Sequence, residues 1–155
     1  MICRKLKIGN GHMEITKITR VGVYGVYFKK EKMLLIEQQR GPFKGKYDFP
    51  GGGIEFGETP KIALQREFAE EVAMGFDSLE LKSNITSVLE VPKTEEKPAH
   101  TFYQVGMIYQ VSGVYPLSGE ETGELQYFWV DTRDLQEQNC SALLWQWVSQ
   151  KLKHD

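Results

Sequence analysis

The sequence has little cysteine, no long hydrophobic run and no excess of basic residues, and each absence excludes a class of protein. The two cysteines, Cys3 and Cys140, are too few for a disulfide scaffold or a four-thiolate zinc site. No segment approaches the roughly 20 apolar residues of a membrane span. The cations near the N-terminus precede polar residues 9–12 rather than the apolar middle region of a signal peptide. We therefore expect a cytoplasmic protein with reduced thiols that does not bind membranes.

The charge balance disfavours nucleic acid as a partner. The chain has 19 basic and 21 acidic residues, so no positive excess is available to neutralise a phosphate backbone. Its 155 residues, of which 41% are hydrophobic, are typical of one globular domain. We expect residues 1–155 to form that single domain, in which residues 1–12 could be an extension that contributes little.

Hydrophobic patterning predicts strands, a helix, further strands and a second helix. β-Branched and aromatic residues predict strands, which we place at residues 15–28, 33–36, 47–49, 85–91, 101–111 and 125–130. We interpret the first two as a hairpin. Thr59 as N-cap and Pro60 at the first helical position predict a helix that ends near residues 74–75, and residues 141–152 predict an amphipathic helix. This order predicts an α/β/α sandwich with a mixed central sheet.

An acidic segment precedes and enters the first helix. Residues 51–71 contain five glutamates and two basic residues, a charge of −3. Glu67, Glu70 and Glu71 fall on one face of the helix, where like charges repel each other. A hard divalent cation would turn this repulsion into ligation, because oxygen ligands select Mg²⁺ or Mn²⁺, and Mg²⁺ in turn accepts phosphate oxygens. A glutamate-rich helix face taken alone is more often a solvated surface.

The spacing within this segment resembles the signature sequence of the Nudix hydrolases. Five residues separate Gly52 from Glu58, and seven more lead to Arg66-Glu67-Phe68-Ala69-Glu70-Glu71-Val72-Ala73-Met74. The flanking residues 48–59 and the later residues 127–135 are also similar to the family, so the resemblance covers nearly the whole chain. Ala73 stands where the family usually has glycine. Because alanine tolerates a positive φ poorly, we expect the helix to run slightly further or to turn at Gly75.

The resemblance implies a Nudix-like fold and an activity. Relatives hydrolyse a nucleoside diphosphate linked to another group, such as a nucleoside triphosphate, an oxidised nucleotide or a nucleotide sugar, with Mg²⁺ held by carboxylates. Carried over to this chain, the metal ligands are Glu67, Glu70 and Glu71, with Glu124 and the carbonyl of Gly51 as further ligands. Glu67 is the first choice as general base, and a glutamate of a late loop is the alternative. Glu120 and Glu121 compete with Glu124 for its role.

Other residues near the signature have two interpretations each. Arg66 is one of the expected catalytic residues. We expect it to pair with Glu58 and to orient the carboxylates; the alternative is that it contacts a phosphate directly. For substrate binding, the candidates are Gly52, Arg40 and Phe49. A loop cation such as Arg40 is solvated about as often as it binds a phosphate. For Phe49 and Phe56, packing in the core is favoured over stacking on a base.

Two other functions compete with hydrolysis. A non-catalytic nucleotide-sensing module would keep the fold without turnover, although the intact glutamate set disfavours it. An isoprenoid diphosphate isomerase would need a nucleophilic cysteine, and Cys3 and Cys140 lie near the chain ends. The expected partner is a small nucleotide rather than nucleic acid or a membrane, and a homodimer is possible.

Overall fold

The computed structural model describes residues 2–7, 14–119 and 122–153. Within these ranges the chain forms eleven strands, two short 3₁₀ helices and two α-helices. In chain order the strands and α-helices are β1 (Ile2–Lys7), β2 (Glu14–Val26), β3 (Phe28–Lys29), β4 (Lys32–Glu37), β5 (Tyr47–Asp48), β6 (Gly51–Gly53), α1 (Pro60–Val72), β7 (Met74–Gly75), β8 (Ser78–Val91), β9 (His100–Ser112), β10 (Tyr115–Pro116), β11 (Tyr127–Asp131) and α2 (Ala142–Leu152). Neither described helix, of 13 and 11 residues, is long enough to cross a membrane.

The larger sheet is mixed and lies between the two α-helices. Its strand order is β1-β2-β9-β8, and β6 also pairs with β2. Strands β2 and β9 are parallel, whereas their other partners are antiparallel. Successive residues of a strand point to opposite faces: Val23 packs with Leu64 and Phe68 of α1, and Tyr24 lies in the core that contains Leu143 of α2. The predicted α/β fold with a mixed sheet and helices on both faces is confirmed.

The predicted hairpin between residues 15–28 and 33–36 is wrong in its extent. Only β3 turns back onto β4, around Lys30, which has a φ of 59°. Strand β4 then pairs with β11 and β5 in a separate sheet, while β2 joins the larger sheet. Both faces of β2 are covered by helices, so its side chains at Val23 and Tyr24 are buried together. A strand buried on both faces belongs inside a sheet rather than in an isolated hairpin.

The N-terminal segment differs from the extension expected from the sequence. Residues 2–7 form β1, which pairs antiparallel with β2 from Thr19 to Glu14. Strand β6 covers the same edge of β2 only from Gly22 to Tyr24. β1 therefore supplies backbone hydrogen bonds to the half of that edge that β6 leaves open. Residues 1 and 8–12 of the predicted extension lie outside the described residues.

Helix α1 begins as predicted but ends earlier. The Thr59 side chain accepts a hydrogen bond from the N–H of Ile62 at 3.3 Å, and Pro60 is the first helical residue. At the other end Ala73 adopts the left-handed conformation, with φ 54° and ψ 38°. Its N–H donates back into the helix and its carbonyl accepts from Leu117 at 3.0 Å. Both expectations, that the helix would run further or would turn at Gly75, are wrong, because these bonds hold Ala73 in the conformation that ends the helix.

We predict that Ala73→Gly stabilises the protein. Removing the Cβ relieves a left-handed conformation that costs roughly 1–2 kcal/mol, partly offset by the greater entropy of the unfolded glycine. The expected net gain is about 0.5–1 kcal/mol, or a rise in Tm of about 1–4 °C. Thermal unfolding measures it. The matched control Ala69→Gly, inside α1, should instead cost about 1 kcal/mol; a similar loss in both variants would contradict the prediction.

Candidate active site

The glycine run of β6 brings the carboxylate face of α1 against a strand backbone. A Cβ on Gly52 would lie 2.6 Å from Oε1 of Glu67, so a side chain there would displace that carboxylate. Gly51 has a φ of 145°, and a Cβ on it would lie 2.1 Å from the carbonyl of Val23. Both positions therefore require glycine for β6 to pack between β2 and α1.

Arg66 ties the loop before α1 to the helix. Its Nε donates to Oε1 of Glu58 at 2.6 Å, and its Nη2 donates to Oε2 of the same residue at 3.0 Å. Nη2 also donates to the carbonyl of Gly53 at 3.1 Å. Oε2 of Glu58 in turn accepts from the N–H of Glu55 at 2.9 Å. The structure thus contains the Arg66–Glu58 pair that the sequence predicted, in the two-pronged geometry specific to arginine.

The same guanidinium contacts two carboxylates of the helix face. Nη1 of Arg66 donates to Oε1 of Glu67 at 2.9 Å and to Oε2 of Glu70 at 3.4 Å. The hydrogen bonds from Arg66 lower the pKa of Glu58 to about 2, and the hydrogen bonds to Glu58 and Glu67 raise the pKa of Arg66. The single positive charge of Arg66 therefore lies within 4 Å of four carboxylates, three of which it hydrogen-bonds, so the cluster keeps a net negative charge.

Glu71 is the buried member of this face. It is 9% exposed, and its Oε2 has no hydrogen-bond partner among the described residues. Burial raises the pKa of Glu71, and the neighbouring Glu67 carboxylate raises it further, while the backbone N–H of Gly51 acts in the opposite direction. A buried carboxylate without a counter-charge is costly, so this position calls for a bound proton or a bound cation.

The late loop packs against the last turn of α1. The N–H groups of Glu124 and Leu125 donate to the carbonyls of Glu70 and Glu71, at 2.8 and 3.0 Å. A Cβ on Gly123 would lie 2.1 Å from the Glu71 carbonyl oxygen, so this approach requires glycine. The exposed Glu124 thereby lines a cavity of about 370 Å³ together with Glu70. Its rivals Glu120 and Glu121 lie outside the described residues.

The carboxylate oxygens that could hold a hard cation are grouped but not arranged around one point. In the described ranges, no three Asp, Glu, His or Cys side chains form a complete cation site. Arg66 lies between Glu67 and Glu70 and hydrogen-bonds to both. A cation near Glu67 and Glu71 would replace a proton bound to Glu71 or the hydrogen bond that Arg66 now donates to Glu67.

The structure separates the other predicted residues from the site or leaves them in solvent. Phe49 has no exposed surface, because its ring packs near Tyr24 and Trp147, so its candidacy as a substrate-stacking residue is wrong. Phe56 is fully exposed, which contradicts the core packing expected for it. Arg40 is exposed in the loop between β4 and β5.

Sequence reasoning missed Arg20, whose guanidinium lies against Gly53. The strand period places Arg20 and Gly22 on one face of β2, but the contact with Gly53 also needs the pairing of β2 with β6, which the sequence pattern does not give.

The burial of Glu71 predicts a pH dependence of stability in excess chelator. Because the pKa of Glu71 is higher in the folded than in the unfolded state, its stabilising contribution is complete below about pH 4.5 and is lost as pH rises through the folded-state pKa. The free energy of unfolding should fall in this window by up to about 1.4 kcal/mol per pH unit. Glu71→Gln cannot titrate and should have a flatter profile. Urea unfolding from pH 5 to 8 checks this, and parallel profiles for both proteins would contradict it.

The chain is similar to known proteins over most of its length. The NUDIX domain family model matches residues 16–150. An ADP-ribose pyrophosphatase from Methanocaldococcus jannaschii is 32% identical over 109 residues, which cover 70% of this chain. The chain spans about 60% of the length of that curated relative.

Solved structures show the same fold at low identity. The MutT NUDIX hydrolase from Burkholderia pseudomallei has a TM-score of 0.58 and 20% identity, covering 86% of this chain and 98% of its own. The mMutator MutT protein from Bacillus halodurans has a TM-score of 0.61 and 19% identity, covering 88% of this chain and 83% of its own. With the family match over residues 16–150, the chain belongs to the NUDIX domain family.

Proposed function

We propose that this chain is a metal-dependent hydrolase that cleaves a phosphoanhydride bond in a nucleoside diphosphate linked to another group. The observation that carries this proposal is Glu71, a buried carboxylate beside Glu67 with an oxygen that has no partner in the described structure. Nucleoside triphosphates, oxidised nucleotides and nucleotide sugars are all members of the substrate class. ADP-ribose is the first of them to test, because the relative at 32% identity is an ADP-ribose pyrophosphatase.

The donor set fits Mg²⁺ or Mn²⁺. It consists of carboxylate oxygens, which hard cations prefer, and an unpartnered buried oxygen supplies a position where a cation removes an energetic cost. We assign Glu67, Glu70 and Glu71 as the ligands, with Glu124 and the Gly51 carbonyl as further candidates. When bound, the cation supplies charge neutralisation on the phosphates and a lower pKa for water.

We assign the proton transfer to Glu67. Its carboxylate lies directly against the backbone of Gly52, because that residue has no side chain to displace it. A carboxylate within hydrogen-bond reach of the attacking water can act as general base. Arg66 and Glu58 position this carboxylate through the hydrogen bonds described above. A glutamate of the late loop, Glu124, is the alternative base.

A nucleotide-sensing module without turnover is the second candidate function. It is favoured by one observation, namely that Arg66 already hydrogen-bonds to Glu67 and Glu70 and so competes with a cation for them. Such a module would bind a nucleotide and return it unchanged.

A substrate panel separates the two functions. The purified protein is incubated with ADP-ribose, GTP, 8-oxo-dGTP and UDP-glucose in Mg²⁺, in Mn²⁺ and in excess chelator, and the products are identified by chromatography and mass spectrometry. We expect cleavage of at least one nucleotide with metal and none with chelator; for ADP-ribose the products would be AMP and ribose 5-phosphate. Binding without cleavage would favour the sensing module, and full turnover in chelator would refute the metal requirement.

The composition of the chain supports a proposal for the setting of this activity. We propose that the protein acts in the cytoplasm on small nucleotides, without nucleic acid or membrane partners, and that it can form a homodimer. Cys140 agrees with a reducing compartment in that its thiol is free and buried.

A further inference from the structure

Three glycines lie side by side across three strands of the larger sheet. Gly22 of β2 is in register with Gly53 of β6 on one side and with Gly106 of β9 on the other. Arg20, Gly22 and Tyr24 alternate along β2 and therefore point to the same face. A Cβ on Gly22 would lie 2.8 Å from the Tyr24 ring, and one on Gly106 would lie 3.3 Å from it, so the ring covers these two glycines.

Arg20 covers the third glycine. A Cβ on Gly53 would lie 2.7 Å from Nε and 3.0 Å from Nη2 of Arg20, so only glycine lets the guanidinium lie there. Since neighbouring residues of β6 point to opposite faces, Gly52 faces Glu67 while Gly53 faces Arg20. Arg20 is thus separated from the carboxylate cluster only by the backbone of β6.

The two arginines that contact Gly53 are in opposite electrostatic situations. Arg66, which donates to the Gly53 carbonyl, lies within ion-pair distance of four glutamates. Arg20 is exposed and takes part in none of the ion pairs found in the described structure. The charge of Arg20 also reaches Tyr24, where it opposes the rise in the pKa of the phenol that burial and Asp48 cause. Arg20 therefore lies at the edge of a negatively charged site and has guanidinium N–H groups that no described carboxylate occupies.

The diphosphate group of a nucleotide substrate carries more negative charge than the cationic side chains of the site can neutralise. The carboxylates repel the diphosphate, and a divalent ion bound to them neutralises only part of the combined negative charge of carboxylates and phosphates. A guanidinium recognises phosphate oxygens with paired, directional hydrogen bonds that lysine cannot reproduce. The exposed side of Arg20 offers those donors within reach of a phosphate that lies along β6.

We propose that Arg20 binds a phosphate oxygen of the substrate, on the opposite side of the glycine run from Glu67, and that it is a determinant of substrate affinity. This inference rests on the proposed function. It adds a binding group that lies outside the signature segment, on β2.

The test compares Arg20→Gln and Arg20→Lys with Lys17→Gln, a control that removes an exposed cation from the same strand. With ADP-ribose and Mg²⁺, we expect Arg20→Gln to raise KM about 10- to 100-fold, as for a lost charged hydrogen bond, with kcat within about 3-fold of wild type. Arg20→Lys should recover only part of the loss, and Lys17→Gln should behave as wild type. An unchanged KM in Arg20→Gln would overturn the inference while the proposed function stands.

Nucleotide binding measured in excess chelator tests the role of Arg20 even in a protein that does not hydrolyse the nucleotide. Calorimetric titration with ADP and with adenosine should show that Arg20→Gln weakens ADP binding about 10-fold or more and leaves adenosine binding unchanged. This result from a protein that hydrolyses nothing would support Arg20 as a phosphate-binding residue and refute the hydrolase. Equal weakening of both ligands would assign Arg20 to the base or the ribose and overturn the inference. A wild-type protein that binds neither ligand and hydrolyses no nucleotide would overturn both proposals.

Discussion

Glu67→Gln is expected to lower kcat by about 10²–10⁴-fold, the range typical for loss of a general base. The substitution keeps the shape of the side chain, and its amide oxygen can still accept from Arg66, as Oε1 of Glu67 does at 2.9 Å. The fold should therefore be retained, which circular dichroism and thermal unfolding would verify. Steady-state turnover of the best substrate gives the expected loss. Glu80→Gln, an exposed glutamate on β8, serves as the control with unchanged activity.

A Mg²⁺ titration distinguishes the two roles available to Glu67. If Glu67 acts chiefly as a base, the concentration of Mg²⁺ for half-maximal rate should stay nearly constant in Glu67→Gln. If it acts chiefly as a ligand, that concentration should rise, and added Mg²⁺ should restore part of the rate. Glu124→Gln, measured beside it, tests the late-loop alternative for both roles. Near-normal turnover of Glu67→Gln at every metal concentration would refute the assignment of this residue.

Arg66→Lys is expected to lower kcat about 10- to 100-fold, as is typical when a group that orients metal ligands is changed. Lysine retains the charge but cannot hold both oxygens of Glu58, contact Glu67 and reach the Gly53 carbonyl from one rigid group. Kinetics at saturating Mg²⁺ measures the loss. Arg133→Lys is the matched control, because Arg133 also pairs with a carboxylate, Asp131, but on an exposed surface. Equal kcat for Arg66→Lys and wild type would contradict a positioning role.

The same variant should lose resistance to acid. Arg66 lowers the pKa of Glu58 in the folded state, so this pair contributes stability above the ordinary carboxyl pKa of about 4.5 and loses it as pH falls toward about 2. A lysine with fewer hydrogen bonds should move the acid unfolding midpoint to a higher pH. The control Arg133→Lys would show how much of any shift comes from replacing an arginine in an exposed pair.

Local rules were enough to predict the parts of the fold that short segments determine. The cap at Thr59, the proline at Pro60 and the grouping of Glu67, Glu70 and Glu71 on one helix face all follow from helix geometry. The order of elements predicted the layers, because apolar patterns on both helices require a sheet between them. The Arg66–Glu58 pair followed from the resemblance and the spacing.

Features that depend on distant contacts could not be predicted in this way. Strand β8 starts at Ser78 rather than at Ile85. Residues 78–84 are largely polar, so their sequence does not predict a strand, but pairing with β9, across a bulge between Leu81 and Ser83, holds them in one. Ala73 takes a strained conformation because a hydrogen bond from Leu117, far along the chain, holds it. The contact of Arg20 with Gly53 depends on the antiparallel pairing of β2 with β6, which a linear pattern does not specify.

The central claim is that metal-dependent attack by water breaks a phosphoanhydride bond at the glutamates of α1. The most direct measurement uses ADP-ribose, or whichever nucleotide of the panel is cleaved, in ¹⁸O-labelled water with Mg²⁺, followed by mass spectrometry of both products. We predict that one phosphate product carries a single ¹⁸O from solvent and that excess chelator abolishes its formation. Unlabelled products, or labelled products formed at the same rate in chelator, would contradict the claim.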